Sequence, residues 1–456
     1  MRFISLLVTA VCVLLLTGTA GVAAEETQQV KMVLGLDDCI AKALSVAPEL
    51  GESQADIELA ASKLKEAKAH RYPQLDFIGL IGPVPQARGD QVSSPDKIND
   101  TSRLTWFQRG DVTIVQPLYT FGKISESMKA AAHGIEVDRA KREQQRNEIA
   151  LQVKEYYYGL LLARELKEVV LEVKEDLDKA RKKAKELLDK GSPNVEQLDL
   201  YKLDAFGGEV TKYIDEAEKG EALALSALRT RLGLAEDAPL DIATERLTPE
   251  EQKVGPLSGY LDASLLQRPE YRQIKEGLQA RKALVEAAKA EYYPDFFIAG
   301  YLSGAHAEKR TKITNPFVPD EFNHEWGGIA LGLKWHLDFG ITGAKMAGEV
   351  AQYNRLLSTK DYAERNIPLQ INKSYLDIQE AEKSIVATRT AYTNAKKWIV
   401  AALANFDFGI GPAKEIFDAL ENYAKMRADY FRSIYNDKMA RANLSYAIGE
   451  TPLARK

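Results

Sequence analysis

Disulfide chemistry has almost nothing to work with in this chain, because 456 residues contain only two cysteines. Cys12 lies inside an N-terminal apolar run, so a mature chain without that run keeps Cys39 alone and forms no intramolecular bridge in any compartment. Packing and assembly must hold the fold. Charge of one sign is also lacking. The 61 Lys and Arg against 66 Asp and Glu leave a formal charge of −5, which argues against nucleic acid as a partner. Past residue 24 no apolar run is long enough for a transmembrane helix, so any membrane crossing there is made by strands. Nucleophile elbows, phosphate loops and paired-histidine zinc motifs are missing, and the five histidines are scattered. His70 and His133 fall on polar helical stretches, and His336 falls on the polar face of an expected strand. No catalytic residue, metal or cofactor is expected.

The N-terminus reads Met1-Arg2, an apolar run from Phe3 to Leu16, then small residues to Ala24 before Glu25-Glu26. This is the pattern of a secretory signal peptide over residues 1–24, with cleavage after Ala24. An uncleaved anchor helix is the alternative, while Val11 before Cys12 argues against a lipoprotein.

The rest of the chain is a repeat, its landmarks returning in order at an offset of about 220 residues. Ala47-Pro48-Glu49-Leu50 returns as Arg268-Pro269-Glu270-Tyr271, and Ala67-Lys68-Ala69 through Pro73 returns as Ala288-Lys289-Ala290 through Pro294. Thr120-Phe121-Gly122 matches Asp338-Phe339-Gly340, and Leu232-Gly233 matches Ile448-Gly449. The expected layout is a first structural repeat over 25–233, a linker over 234–264, a second repeat over 265–449 and a short tail over 450–456.

Each repeat opens with a helical stretch, 36–72 and 265–292, closed by proline. Two strands follow in each, expected at 74–84 and 104–118, then at 295–305 and 326–339. Asp111 and Thr113 alternate with Val112 and Ile114, and Ile329, Leu331 and Leu333 alternate with Ala330, Gly332 and Lys334. Aromatic residues stand near the strand ends (Trp106, Tyr119, Trp326, Trp335). Membrane barrels use such strands, and so do soluble sheets with one buried face; the signal peptide and the duplication tilt the reading towards the membrane. Four strands cannot close a membrane barrel, so a barrel demands an oligomer.

Residues 123–190 hold no proline and are rich in Lys, Glu, Ala and Leu. Apolar positions recur at Ile149, Val153, Tyr156, Leu160 and Ala163, then, after a skip, at Leu166, Val170, Val173, Leu177, Ala180, Ala184 and Leu187, a coiled-coil seam with one phase shift. The break at 189–194 turns this into a helical hairpin over 123–233. A second hairpin spans 343–449, with its break at Phe408-Gly409-Ile410-Gly411-Pro412. Pro368 should remove one hydrogen bond and bend that helix.

The opening Leu34-Gly35-Leu36-Asp37-Asp38-Cys39 through Leu44 with Pro48, the strand exit Gln116-Pro117-Leu118-Tyr119-Thr120-Phe121-Gly122-Lys123, and the helical tip Phe406-Asp407-Phe408-Gly409 leading to Glu415-Ile416-Phe417-Asp418 resemble the TolC family of outer-membrane efflux proteins. The resemblance covers essentially the whole mature chain. It implies a mainly α protein with a transmembrane β-barrel: a homotrimer, with four strands per chain closing a 12-stranded barrel and long coiled-coil hairpins forming an α-helical tunnel. The implied location is the outer membrane, among its lipid, with the tunnel extending into the periplasm. The implied function is the exit duct of a tripartite efflux or type I secretion system, fed by an inner-membrane pump through a periplasmic adaptor. By the same resemblance Glu415 and Asp418 ring the pore constriction, where the alternative is a pair of solvated helix charges. Gly191 and Gly409 mark the tips that meet the adaptor. The family's arginine two residues after the tip glycine is replaced here by Gly411. A soluble periplasmic coiled-coil adaptor or scaffold is the competing reading, and it leaves the paired strands unexplained.

Overall fold

The computed structural model describes residues 32–450 except 91, 93, 96, 97, 194, 409 and 411. The expected signal peptide, tip residue Gly409 and the tail beyond residue 450 lie outside the described residues.

Strand β1 (Met32–Leu34) leads into helix α1 (Leu36–Val46), whose start is capped by the Asp38 carboxylate accepting the Gly35 N–H at 3.2 Å. Ala47 is extended because Pro48 follows it, and Pro48 starts α2 (Pro48–Ala69), where a missing amide costs nothing. Strands β2 (Gln74–Arg88) and β3 (Ile98–Tyr119) form a long antiparallel hairpin, and α3 (Lys123–Asp189) and α4 (Gln197–Arg231) form a helical one. A short strand β4 (Leu240–Ile242) then pairs in parallel with β1. The order of elements recurs: α5 (Leu257–Gln267), α6 (Pro269–Ala290), strands β5 (Asp295–Ala307) and β6 (His324–Lys334), and helices α7 (Ile341–Asp407) and α8 (Ala413–Ile448).

Several expected boundaries move. The segment 234–264, read as a linker, holds β4 and the start of α5; an 11-residue helix behind Pro256 is too short to show a helical period. β2 runs on to Arg88 and β3 starts at Ile98, so this hairpin outreaches its expected ends. β6 stops at Lys334 instead of 339, although the alternation continues, because its partner β5 begins at Asp295 and offers nothing further to pair with. His336 therefore stands outside the sheet, and Trp335 donates its indole N–H to the Tyr292 carbonyl at 3.1 Å. α7 passes through Pro368 unbroken.

The seam expected on α3 is buried at Ile149, Val153, Leu160, Val173, Leu177, Ala180 and Ala184. Around the skip the buried positions are Tyr157, Leu161, Glu165 and Val169, because residues 243–247 pack there: Tyr157 Oη meets Thr244 Oγ1 at 2.8 Å, and Glu165 accepts the Leu247 N–H at 3.0 Å. His133, on its polar helical stretch, sits 2.7 Å from Glu276 and ties α3 to α6.

The two return helices end alike. Gly233 and Gly449 both have positive φ, and the next residue's N–H reaches back to the helix (Leu234 to Arg229, Glu450 to Ser445). Each glycine lies against a proline junction, Gly233 on Val46 and Gly449 on Gln267 and Arg268.

Candidate functional site

The four long strands form one antiparallel sheet in the order β2-β3-β5-β6, leaving β2 and β6 as edges. Register sorts their side chains. Leu75 pairs with Ile114, Phe77 with Val112, Val112 with Leu302 and Gly300 with Ile329, which places Leu75, Phe77, Ile81, Val112, Ile114, Leu302, Ile329 and Leu331 on one face. The other face carries Asp76, Arg109, Asp111, Thr113, Tyr301, Ser303 and His324, with Ile78 and Leu80 on its β2 edge. The apolar side chains are largely bare, Ile81 and Ile329 among them. Two edges without partners and an uncovered apolar face cannot both stand in water.

The polar face is organised around Asp111. Its carboxylate accepts hydrogen bonds from Arg109 Nε at 2.9 Å and Tyr301 Oη at 3.1 Å, with Ser303 Oγ at 2.6 Å. Ser303 Oγ also lies 2.7 Å from His324 Nε2, whose ring is fixed by Nδ1 donating to the Asp320 carbonyl at 2.7 Å. Arg109 reaches Glu321 at 3.4 Å. Sequence reasoning missed this cluster, since nothing in the chain marks His324 as the partner of Ser303 until register joins β5 to β6.

Sheet and helices meet at the repeated Thr120-Phe121-Gly122 and Asp338-Phe339-Gly340. Gly122 (φ 100°) and Gly340 (φ 147°) take backbone conformations that side chains resist, so the chain turns sharply into α3 and α7. Lys123 pairs with Asp295 at 2.7 Å, fastening the start of α3 to the start of β5. Asp338 accepts hydrogen bonds from Thr342 N at 2.8 Å, Thr342 Oγ1 at 2.6 Å and Gly340 N at 3.2 Å, and those to Thr342 above all hold its pKa down at about 2. A carboxylate lowered in this way stabilises the fold above its unfolded value, near 3.8, and loses that contribution as pH falls through about 2. Asp338→Asn is therefore expected to melt below wild type at pH 7, with the difference shrinking towards pH 2; an equal deficit at both pH values in thermal melts would contradict this.

At the far end the two helical hairpins pack tip against tip. Val173, Leu177, Leu203, Phe206, Ile399, Phe406, Ile416 and Tyr423 form one core, and Phe206 meets Phe417 edge-on at 4.7 Å. Above it the Arg427 guanidinium, buried on α8, reaches across to Glu172 and Glu168 of α3, and Tyr423 donates to Glu172 at 2.9 Å. Burial pulls the Arg427 pKa down, and Glu168 is the first of the charges that oppose the shift. Gly191 (φ 72°) turns the first tip in open space. At the second tip Phe408 and Ile410 are exposed. Glu415 and Asp418 lie one turn apart on α8, Glu415 exposed and Asp418 half-buried, beside the stripe of buried Ile416, Ala419 and Leu420. Neither carboxylate makes an ion pair among the described residues.

The sequence model of the outer membrane efflux protein family matches residues 39–199 and 260–450. Among solved structures, the fold is similar to the outer membrane protein VceC from Vibrio cholerae, at 16% identity and TM-score 0.74, covering 91% of this chain and 96% of that one. It is similar to the Campylobacter jejuni CmeC outer membrane channel, at 16% identity and TM-score 0.73, covering 91% and 85%. It is also similar to the open state of the Neisseria gonorrhoeae MtrE outer membrane channel, at 15% identity and TM-score 0.72, covering 93% of each. No curated protein sequence matches.

Proposed function

The chain belongs to the outer membrane efflux protein family, and from that premise we propose that three copies close a 12-stranded barrel in the outer membrane and a helical tunnel below it, forming the exit duct of a tripartite efflux or type I secretion system. The observation that carries this is the sheet: four strands, two open edges, one bare apolar face and one polar face. Closing the edges against neighbouring copies satisfies the backbone, puts the apolar face on lipid and turns the polar face inward. The internal duplication accounts for the recurring order of elements. α7 supports assembly independently, because Tyr362, Leu369 and Leu376 recur every seventh residue and are each more than half exposed, a seam without a partner among the described residues.

Substrates enter from an inner-membrane pump through a periplasmic adaptor that contacts the helical tips, near Gly191 and Gly409. Glu415 and Asp418, with their symmetry copies, place six carboxylates around the axis as a cation-attracting constriction that opens by mutual repulsion. A soluble adaptor would need its apolar sheet face covered, and among the described residues nothing covers it.

Fractionation tests the assembly. The protein stays with outer membranes after a high-salt wash, and cross-linking in mild detergent yields a three-chain species. Release by salt as a monomer would return the adaptor reading.

A further inference from the structure

The connection between β5 and β6, residues 308–323, does not project away from the sheet but folds back over one end of it. Coverage is one-sided. On the polar face Thr105 is 7% and Ala307 1% exposed, whereas Trp106, next to Thr105 but on the apolar face, is 69% exposed. The Phe322 ring sits edge-on to Phe107 at 5.3 Å, and Glu321 meets Arg109, both partners belonging to the polar face. The loop then crosses towards β2. Arg310 donates to the Pro85 carbonyl at 2.6 Å while its guanidinium stacks on Phe322 at 3.8 Å, and Thr311 N donates to the Ala87 carbonyl at 3.1 Å.

Its interior is stapled as well. Asp320 accepts the N–H groups of Ile313, Phe322 and Asn323, and Asn323 accepts from Ala307 and donates to the Arg310 carbonyl. A segment held this way keeps one shape. At its apex, tightened by Asn315 accepting the Phe317 N–H at 3.0 Å, Phe317 is 92% exposed. This bare phenylalanine on a fixed apex has no ring partner among the described residues of its own chain.

We propose that residues 308–323 form a second constriction, at the exterior mouth of the duct, in which the three copies of the loop converge and Phe317 of each packs on Phe317 of the others. This rests on the reading that the polar face lines the lumen: a loop lying on that face lies inside the barrel, and three-fold symmetry brings its apices towards the axis. The apolar ring and the stapled loops below it set a size limit on what crosses the mouth, separate from the charged ring at the helical tips.

Thiol access in intact cells tests it, with Thr113→Cys placed deeper on the polar face and native Cys39 buried. With the native loop, a small methanethiosulfonate labels the cysteine and a bulky polyethylene-glycol maleimide added outside does not. Removing residues 312–319, or the double change Arg310→Ala and Phe322→Ala, takes maleimide labelling from undetected to complete. Equal maleimide labelling with the native loop would overturn the proposal and leave the channel intact. No labelling by the small reagent in any variant would overturn the lumenal reading itself. Phe317→Cys, oxidised, yields a chain-to-chain disulfide; its absence from assembled trimers would show that the apices do not meet.

Discussion

Gly449→Ala is expected to destabilise the protein by about 2–5 kcal/mol, the sum of forcing an alanine into the left-handed region and overpacking a closed site. At φ 78° a Cβ on residue 449 would stand 2.6 Å from Arg268 Cα and 2.8 Å from its nitrogen. These obstacles are backbone, so no side-chain rotation relieves them. The site is also held from the other side, because the Arg268 guanidinium donates to the Ala447 carbonyl at 2.8 Å and to Gln370 at 2.8 Å. The end of α8 and the α5–α6 junction therefore move together or not at all. Gly191→Ala provides the control: φ is 72° but no atom lies within 4 Å of the added carbon, so only the conformational cost of about 1–2 kcal/mol applies. Thermal melts of the two variants in detergent, with gel assay of the oligomer, check the ranking; a Gly449→Ala protein melting with Gly191→Ala would mean that the junction yields.

These glycines show what sequence makes legible. Pro48 and Pro269, Gly122 and Gly340, and Gly233 and Gly449 are positions where the backbone itself dictates the residue, so their recurrence marks matching places in the fold. Strand alternation was readable for a similar reason, since each face imposes its own polarity at every second residue. The ends of strands were not, because pairing stops where the neighbouring strand stops: Trp335 and Leu337 continue the pattern of β6 with nothing opposite them. β4 is three residues long and owes its existence to β1, two hundred residues earlier, which no local pattern reports. The polar-face cluster was hidden in the same way. Asp111, Ser303 and His324 come from three strands, and only register brings them together. The resemblance supplied Glu415 and Asp418, while the exposure of Glu415 and the half-burial of Asp418, beside the tip core, come from packing.

Replacing those two carboxylates together should have the largest effect on transport. In the proposed trimer, three copies would concentrate six negative charges at a tunnel constriction, and a ring of one sign enriches counter-ions by about tenfold or more. Glu415→Ala with Asp418→Ala removes the ring and shortens the side chains at once. The expected result is higher unitary conductance with a loss of cation-over-anion preference of about tenfold or more, and little change in stability, since neither group is ion-paired within the described chain. Reversal potentials in a salt gradient measure the preference. Unaltered conductance and selectivity would make the two residues ordinary solvated helix charges.

That the molecule conducts at all is the claim on which the rest depends, and planar-bilayer recording of the mature oligomer tests it most directly. Discrete, cation-selective openings are expected from the wild-type protein, larger and less selective in the Glu415→Ala/Asp418→Ala variant. Oligomers that insert into the bilayer yet pass no ions in either form would contradict it.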